Sequence, residues 1–246
     1  MRRSGRRWGI FSDVHANRPA LDAVLEDIAR VGVDRHLCLG DLVGYGPHPR
    51  EVVERVRALG CPVVVGNHDL AAIGRLDTSD FNPFARAAVD WTASRLSEDD
   101  RRYLAALPMT WADGAVSAVH ATHDEPEEFL YLQSLEHARD LLLDQERFLV
   151  VFGHTHVPMT FALSGDRVGV SSERRVDLSD VDRALVNVGS VGQPRDEDAR
   201  ASWVLFDERR RTLEIRRVPY DYEPVVEAIL AAGLPSILGE RLRFGV

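Results

Sequence analysis

Five short motifs recur along this chain of 246 residues, each directly after an apolar run: Asp13-Val14-His15, Gly40-Asp41, Gly66-Asn67-His68-Asp69, His120 and Gly153-His154-Thr155-His156. Their carboxylates, carboxamide and imidazoles are the groups that ligate divalent ions, and no thiolate is among them. Such a set suits Mn²⁺, Fe²⁺ or Zn²⁺, with Ni²⁺ also admissible, while this much imidazole argues against an all-oxygen Ca²⁺ or Mg²⁺ cage. Asp13, Asp41, Asn67, His15, His120, His154 and His156 outnumber the roughly three protein ligands of an open catalytic zinc site. Two ions about 3.5–4 Å apart would use them all by sharing one carboxylate. Asp41 is the candidate for that bridge.

The runs before the motifs, residues 8–12, 36–39, 62–65, 115–119 and 148–152, are short, rich in Val, Ile and Phe, and bounded by Gly or polar residues. That pattern predicts buried strands of an α/β sheet. Ligands of such sheets bind beyond the carboxyl ends of the strands, so motifs far apart in sequence converge there. Helices are expected between the strands. Asn17 is placed to cap one running to about Val31, with Leu21, Val24, Leu25 and Ile28 on one face and Gly32 past its end. Pro49 opens another, striped by Val52, Val53, Val56 and Leu59. Residues 76–108 carry no ligand motif and read as a helical insertion beside the site, with Ser97 and Asp100 as a capping box. Two hairpins, 159–163 with 167–171 and 202–206 with 212–218, are expected in the far part of a second sheet, and a closing helix over 222–232. One ligand set drawn from most of the chain favours a single domain over 1–246.

The strings FSDVHAN at 11–17, GDLVGYGP at 40–47, VGNHD at 65–69, GHTH at 153–156 and NVGSVGQPRD at 187–196, in this order, resemble the calcineurin-like metallophosphoesterase superfamily. Within it the likeness is to the small single-domain bacterial and archaeal phosphodiesterases. The resemblance implies a two-sheet β-sandwich flanked by helices, a four-layer αββα arrangement. It also implies that one ion is held by Asp13, His15, Asp41 and His156, the other by Asp41, Asn67, His120 and His154, with His68 as the catalytic imidazole. A water held between two cations loses its proton near neutrality, so its attack on phosphorus needs no protein base, and His68 is free to protonate the leaving oxygen. Asp69 or Asp13 would orient a neighbouring imidazole. Where relatives carry a Gly-Ser-Pro stretch, this chain has Ala121-Thr122-His123. That departure bears on which phosphoester is bound, and His123 is a candidate to approach it. Arg195 could hold a phosphate oxygen pair or simply pair with its acidic neighbours. Tyr45 could stack on a leaving group, while Gly44, Gly46 and Pro47 announce a tight loop.

All 30 cationic side chains are Arg, which excludes lysine Schiff-base chemistry and a Lys-dependent phosphate loop. A formal charge of −9 argues against a long nucleic-acid groove as a partner surface. No apolar stretch approaches a membrane span and the Arg-rich start is followed by no signal-like apolar run, so the chain is expected in the cytoplasm, alone or as an oligomer. Cys38 and Cys61 read as small core residues, not as a disulfide. The expected activity is hydrolysis of small phosphoesters, diesters first. The alternatives are a phosphomonoesterase or protein phosphatase, and a silent scaffold of the same fold, against which the retained His68 counts.

Small phosphodiesters, such as cyclic nucleotides or p-nitrophenyl esters, should therefore be hydrolysed faster than duplex DNA. KM should change little with salt, in contrast to a logarithmic slope of about −0.9 per phosphate contact for duplex binding. Initial rates across a NaCl series check this, and efficient DNA cleavage with a steep salt dependence would overturn it.

Overall fold

The computed structural model describes residues 5–246, so the first part of the Arg-rich start, residues 1–4, lies outside the described residues. Strand β1 (Arg7–Phe11) is the seed of the first sheet, buried from Trp8 onward on both faces. It is followed by α1 (Arg18–Val31), β2 (Arg35–Cys38), α2 (Pro49–Leu59), α3 (Asn67–Ala72), α4 (Pro83–Arg95), α5 (Glu98–Ala105), β3 (Thr110–Asp113) and β4 (Val116–Val119). Then come α6 (Leu135–Asp144), β5 (Leu149–Phe152), β6 (Met159–Ser164), β7 (Arg167–Ser171), β8 (Arg175–Asp177) and β9 (Arg183–Asn187). The chain closes with β10 (Ala201–Asp207), β11 (Thr212–Val218), α7 (Glu223–Ala231) and α8 (Ile237–Glu240).

One sheet has the order β2-β1-β10-β11-β8 and the other β3-β4-β5-β9-β6-β7. Because side chains alternate along a strand, each sheet feeds two cores. Leu149 and Val151 of β5 meet Trp8, Ile10, Val204 and Phe206 between the sheets, while Val150 and Phe152 turn outward to Leu141 and Leu142 of α6. On the other side Phe11, Cys38 and Trp203 pack under Leu21, Val24 and Ile28 of α1 and Val52, Val53 and Val56 of α2. The result is the expected αββα layering.

The caps behave as the sequence predicts. Asn17 accepts from the Ala20 amide and Gly32 ends α1; Ser97 and Asp100 form their reciprocal box at α5. Four expectations change. Residues 62–65 make only a single parallel bridge, Cys38 to Val63, because Pro62 has no amide to donate and the chain turns at Gly66 into α3. The β10–β11 hairpin lies in the first sheet, where β10 pairs antiparallel with β1; hairpin patterning specifies a strand pair but not its neighbour. Strands β3, β8 and β9 were not anticipated, and β9 is central, parallel to β5. Helices α3 and α6 were also missed, since α3 starts inside a ligand motif. Both cysteines are free, and no helix among the described residues is long and apolar enough to cross a membrane.

Asp27 ties α1 to the sheet below it. Only 3 % exposed, it accepts from the Trp203 indole at 3.0 Å and from Arg216 Nε at 2.8 Å. Burial alone would raise its pKa, but the hydrogen bonds from Arg216 and Arg30 outweigh it and hold the carboxyl below its ordinary value. A depressed folded pKa contributes stability that is present above the unfolded value, about 3.9, and is lost as pH falls through the folded one. Asp27→Ala should cost about 1–3 kcal/mol at pH 7, measured by urea unfolding, because the indole and guanidinium lose their acceptor. The gap between the two proteins should narrow below about pH 4.

Candidate metal centre

The ligand-type residues sit at the carboxyl ends of four strands: Asp13 and His15 after β1, Asp41 after β2, His120 after β4, and His154 and His156 after β5. Asn67 and His68 open α3. Asp13, His15, Asp41, His154 and His156 all have φ between 47° and 65°, a left-handed conformation uncommon for residues other than Gly. Each turn therefore doubles back at the strand end and points its side chain at the others. Backbone held this way is strained, and it persists only where the surroundings over-determine it. The loops also touch too closely for side chains between them. A Cβ on Gly66 would strike the Asp41 carboxylate and amide, and one on Gly153 would strike Ser12 Oγ and the Asp13 carboxylate.

Asp13, His15 and His156 bring ligand atoms within 4.8 Å of one another, and so do Asp13, Asp41 and His120. Asp13 Oδ1 lies 3.2 Å from His156 Nε2 and 3.8 Å from His15 Nε2. Asp41 Oδ2 lies 3.6 Å from His15 Nε2 and 3.4 Å from His120 Nε2, so one oxygen faces an imidazole of each group. Asp13 is the carboxylate common to both groups and Asp41 belongs to one of them, whereas the sequence led us to expect the sharing at Asp41. His154 packs at 5.2 Å, ring to ring, from His120.

The outer nitrogens fix the inner ones. His15 Nδ1 meets Val43 O at 3.1 Å, His120 Nδ1 meets Leu39 O at 2.7 Å and His156 Nδ1 meets Gln193 O at 2.6 Å. A carbonyl only accepts, so each Nδ1 carries a proton; burial disfavours the charged form of His15 and His156, so their Nε2 atoms present lone pairs inward. His15 and His156 thus face each other at 3.0 Å through two lone pairs, a repulsive contact that a shared cation relieves. Asn67 Oδ1, His120 Nε2 and His154 Nε2 are buried without any hydrogen-bond partner. Buried polar atoms are normally paired. These three atoms, all in the second predicted set, fit a divalent ion.

The electrostatics agree. Burial alone would raise Asp13 and Asp41, yet His156 and His120 offset it, and both carboxyls end below the ordinary range. Burial would depress His120, but the charge of Asp41 pushes it up to about 10. Burial lowers His154 to about 3 and His68 to about 4. Two buried carboxylates without an Arg thus draw one positive charge to the cluster, and a metal ion answers the same demand.

Asp69, fully buried, accepts from the amides of Leu42, Val43 and Gly66 at 2.8, 3.2 and 3.1 Å. It braces the loop that carries Asp41 and makes no hydrogen bond to His68. Burial raises its pKa to about 7, with the Asp41 charge adding to the shift. His68 donates its backbone N–H to Asp41 Oδ1 at 2.9 Å, and its Nδ1 is unpartnered. Tyr45 packs 4.5 Å from His68 and 4.7 Å from His15 between ring centroids. A cleft of about 460 Å³ opens above Asn67, His68 and His154, walled by Tyr45, Phe81, Phe129 and Tyr131.

Arg195 is not among the residues lining the cleft. Its guanidinium donates to Gln193 Oε1 at 2.9 Å and to the Tyr45 hydroxyl at 3.4 Å, so it stands behind Tyr45. It makes no pair with its acidic neighbours, since Asp196 is taken by Arg217 and Asp198 by Arg200. His123 is not brought to the cleft either; it packs toward Leu141 and Asp144 of α6. Sequence reasoning missed the brace formed by the 187–193 segment. Ser190 Oγ and the Gly192 amide donate to Asp13 O at 2.8 and 2.9 Å, and Asn187 Nδ2 donates to Gly153 O. The Asn, Ser and Gln within NVGSVGQPRD were its visible signal. A larger hollow of about 830 Å³, bordered by Arg7, Arg175 and Glu214, lies elsewhere, along β8, β10 and β11, and contains no imidazole.

Two layers of sheet with imidazoles and carboxylates converging on the strand ends define a metallophosphoesterase-type fold. A family model described as the calcineurin-like phosphoesterase superfamily domain matches residues 7–211, and the chain belongs to that superfamily. It is 37 % identical over 240 residues to the uncharacterized protein MJ0912 of Methanocaldococcus jannaschii, covering 96 % of this chain and 97 % of that protein. The crystal structure of a metallophosphoesterase from Sphaerobacter thermophilus superposes with a TM-score of 0.85 at 40 % identity, over 98 % of this chain and 99 % of that one. A protein from Pyrococcus horikoshii shares the fold at 20 % identity with a TM-score of 0.82, over 98 % of each chain.

Because Asp41 Oδ2 faces both groups, Asp41→Asn should lower metal content at both positions, whereas His156→Ala should weaken mainly one. Elemental analysis of metal-reconstituted protein checks this. Two ions retained at near-full occupancy in Asp41→Asn would remove the sharing role.

Proposed function

We propose that this member of the superfamily is a metal-dependent phosphoesterase that hydrolyses small phosphoesters, diesters in preference, with two divalent ions. The observation that carries it is the inward Nε2 triad of His15, His120 and His156 around two buried carboxylates, beside unpartnered ligand atoms on Asn67 and His154. Asp13, His15, Asp41 and His156 would hold one ion; Asp41, Asn67, His120 and His154 would hold the other. When bound, such ions neutralise phosphoryl charge and lower the pKa of water, a single zinc to about 7.

The chain's own groups supply positioning and a proton. Asp69 fixes the 40–43 loop through three amides, and the 187–193 segment fixes Asp13 and His156. Arg195 holds the Tyr45 ring against His68 and His15. His68 lies at the cleft floor, where its ring can reach a leaving oxygen. Kept neutral by burial, it still carries one N–H, and an anionic phosphoester beside it would raise its pKa toward the protonated form. General acid catalysis at the leaving group follows from that placement. The scaffold reading has less support, because every ligand-type residue converges and His68 opens onto a cleft.

His68→Ala should lower kcat by about 10²–10⁴-fold for an alkoxide leaving group and much less for a p-nitrophenolate, which needs little protonation. Both ions should remain. Equal losses on the two esters, or loss of metal, would show that His68 is not the proton donor.

A further inference from the structure

We propose that the cleft selects phosphodiesters whose leaving alcohol carries a compact organic ammonium group, an inference that rests on the phosphodiesterase reading above. Among the described residues, four carboxylates, those of Asp77, Asp80, Glu127 and Glu128, and no Arg line the cleft. Asp80, Glu127 and Glu128 make no ion pair among the described residues, although Arg supplies every cation of the chain. They come from two segments, one leading into α4 and one following β4, and all four are exposed around the same opening.

Between those segments the walls are aromatic. Tyr131 packs 4.1 Å from His154, Phe129 sits 6.0 Å from His120 and Phe81 sits 5.0 Å from His68, each between ring centroids. Phe129 holds a φ of 50°, a left-handed conformation unusual for a bulky residue, and its ring is buried at the base of the cleft. Below it lie Asn67, His68 and His154, 7, 5 and 6 % exposed, with Asn67 Oδ1 and His154 Nε2, the atoms that would hold an ion for the phosphoryl group, unpartnered. A floor that takes a phosphoryl group thus lies under walls that take a cation.

The kind of cation follows from the spacing. Among the described residues, three ligand atoms converge only in the two clusters containing Asp13, so the rim carboxylates do not form a chelating site for a third metal ion. Dispersed carboxylates with aromatic faces instead suit a compact, weakly hydrated organic ammonium, held by cation–π attraction and long-range charge. The same rim repels substrates with further phosphates. Hydrolysis would break the bond from phosphorus to the alcohol oxygen, form one from phosphorus to the oxygen of water, and leave one proton of that water on the departing aminoalcohol.

The test compares the methyl phosphodiesters of choline and of 3,3-dimethylbutanol, which differ at the branch point by a charged nitrogen in place of a carbon. With Mn²⁺-loaded protein, KM should be about 10-fold lower for the choline ester, and the advantage should shrink with added salt. KM is the readout because the ammonium also activates the leaving oxygen inductively. In the Asp80→Asn, Glu127→Gln, Glu128→Gln triple variant the two KM values should approach each other. Calorimetry with tetramethylammonium gives a second measurement, with saturable binding expected in the parent protein and lost in the variant. Equal KM values in the parent, or a preference for the neutral ester, would overturn the proposal while leaving a phosphodiesterase. Inactivity on both esters with ammonium binding intact would sink the phosphodiesterase reading and keep the cation pocket.

Discussion

Two carboxylates, Asp13 and Asp41, are 0 and 1 % exposed in the interior of the molecule, and among the described residues no guanidinium pairs with them. An ionised group removed from water costs several kcal/mol unless it is paired. Here the only compensation the chain itself offers is a set of imidazoles and backbone amides, which leaves a standing demand for positive charge. The imidazoles meet it only in part, because three of them spend their Nδ1–H on backbone carbonyls and have only Nε2 left to face the carboxylates. Everything around the site is arranged so that this arrangement cannot relax.

The arrangement is enforced by backbone more than by side chains. Five of the ligand-type residues occupy left-handed conformations, and the loops bearing them approach so closely that Gly66 and Gly153 leave no room for a methyl group. Their amides then hold the carboxylates from behind. The His154 amide donates to Asp13 Oδ2 at 3.0 Å and the His68 amide to Asp41 Oδ1 at 2.9 Å. The parallel pairing of β1 with β2, of β4 with β5 and of β5 with β9 brings the turns of each sheet to one end of it. The packed cores on either side of each sheet hold that register, since a slip by one residue would reverse every inward side chain.

The cleft is a different kind of construction. Its floor belongs to the sheets and α3, but its walls come from segments outside the regular layers: the Tyr45 loop, the stretch before α4, and the turn around Phe129. Such segments can change without disturbing the Asp–His cluster, so the groups that would hold metal and those that shape the cleft are physically separate. Arg195 illustrates the boundary, acting on the cleft through Tyr45.

How much of this was legible beforehand depends on whether the signal was local. Ligand chemistry is carried by residue type, so Asp13, His15, Asp41, Asn67, His120, His154 and His156 stood out before any geometry, as did the caps at Asn17 and Ser97, whose hydrogen bonds span three residues. Family resemblance supplied the layering and the pairing of ligands. Tertiary structure decided what local pattern cannot contain. It set β10 beside β1, reduced 62–65 to one bridge, made β9 a central strand, turned Asp69 toward backbone amides, placed Arg195 behind Tyr45 and directed His123 to α6. It also gathered four carboxylates and four aromatic rings around one opening, from three separate segments with no motif in common. A strand's period and a ligand's atoms are written in a few neighbouring residues. Which strand pairs with which, and which way a side chain faces, follow from burial and hydrogen bonding summed over the whole chain.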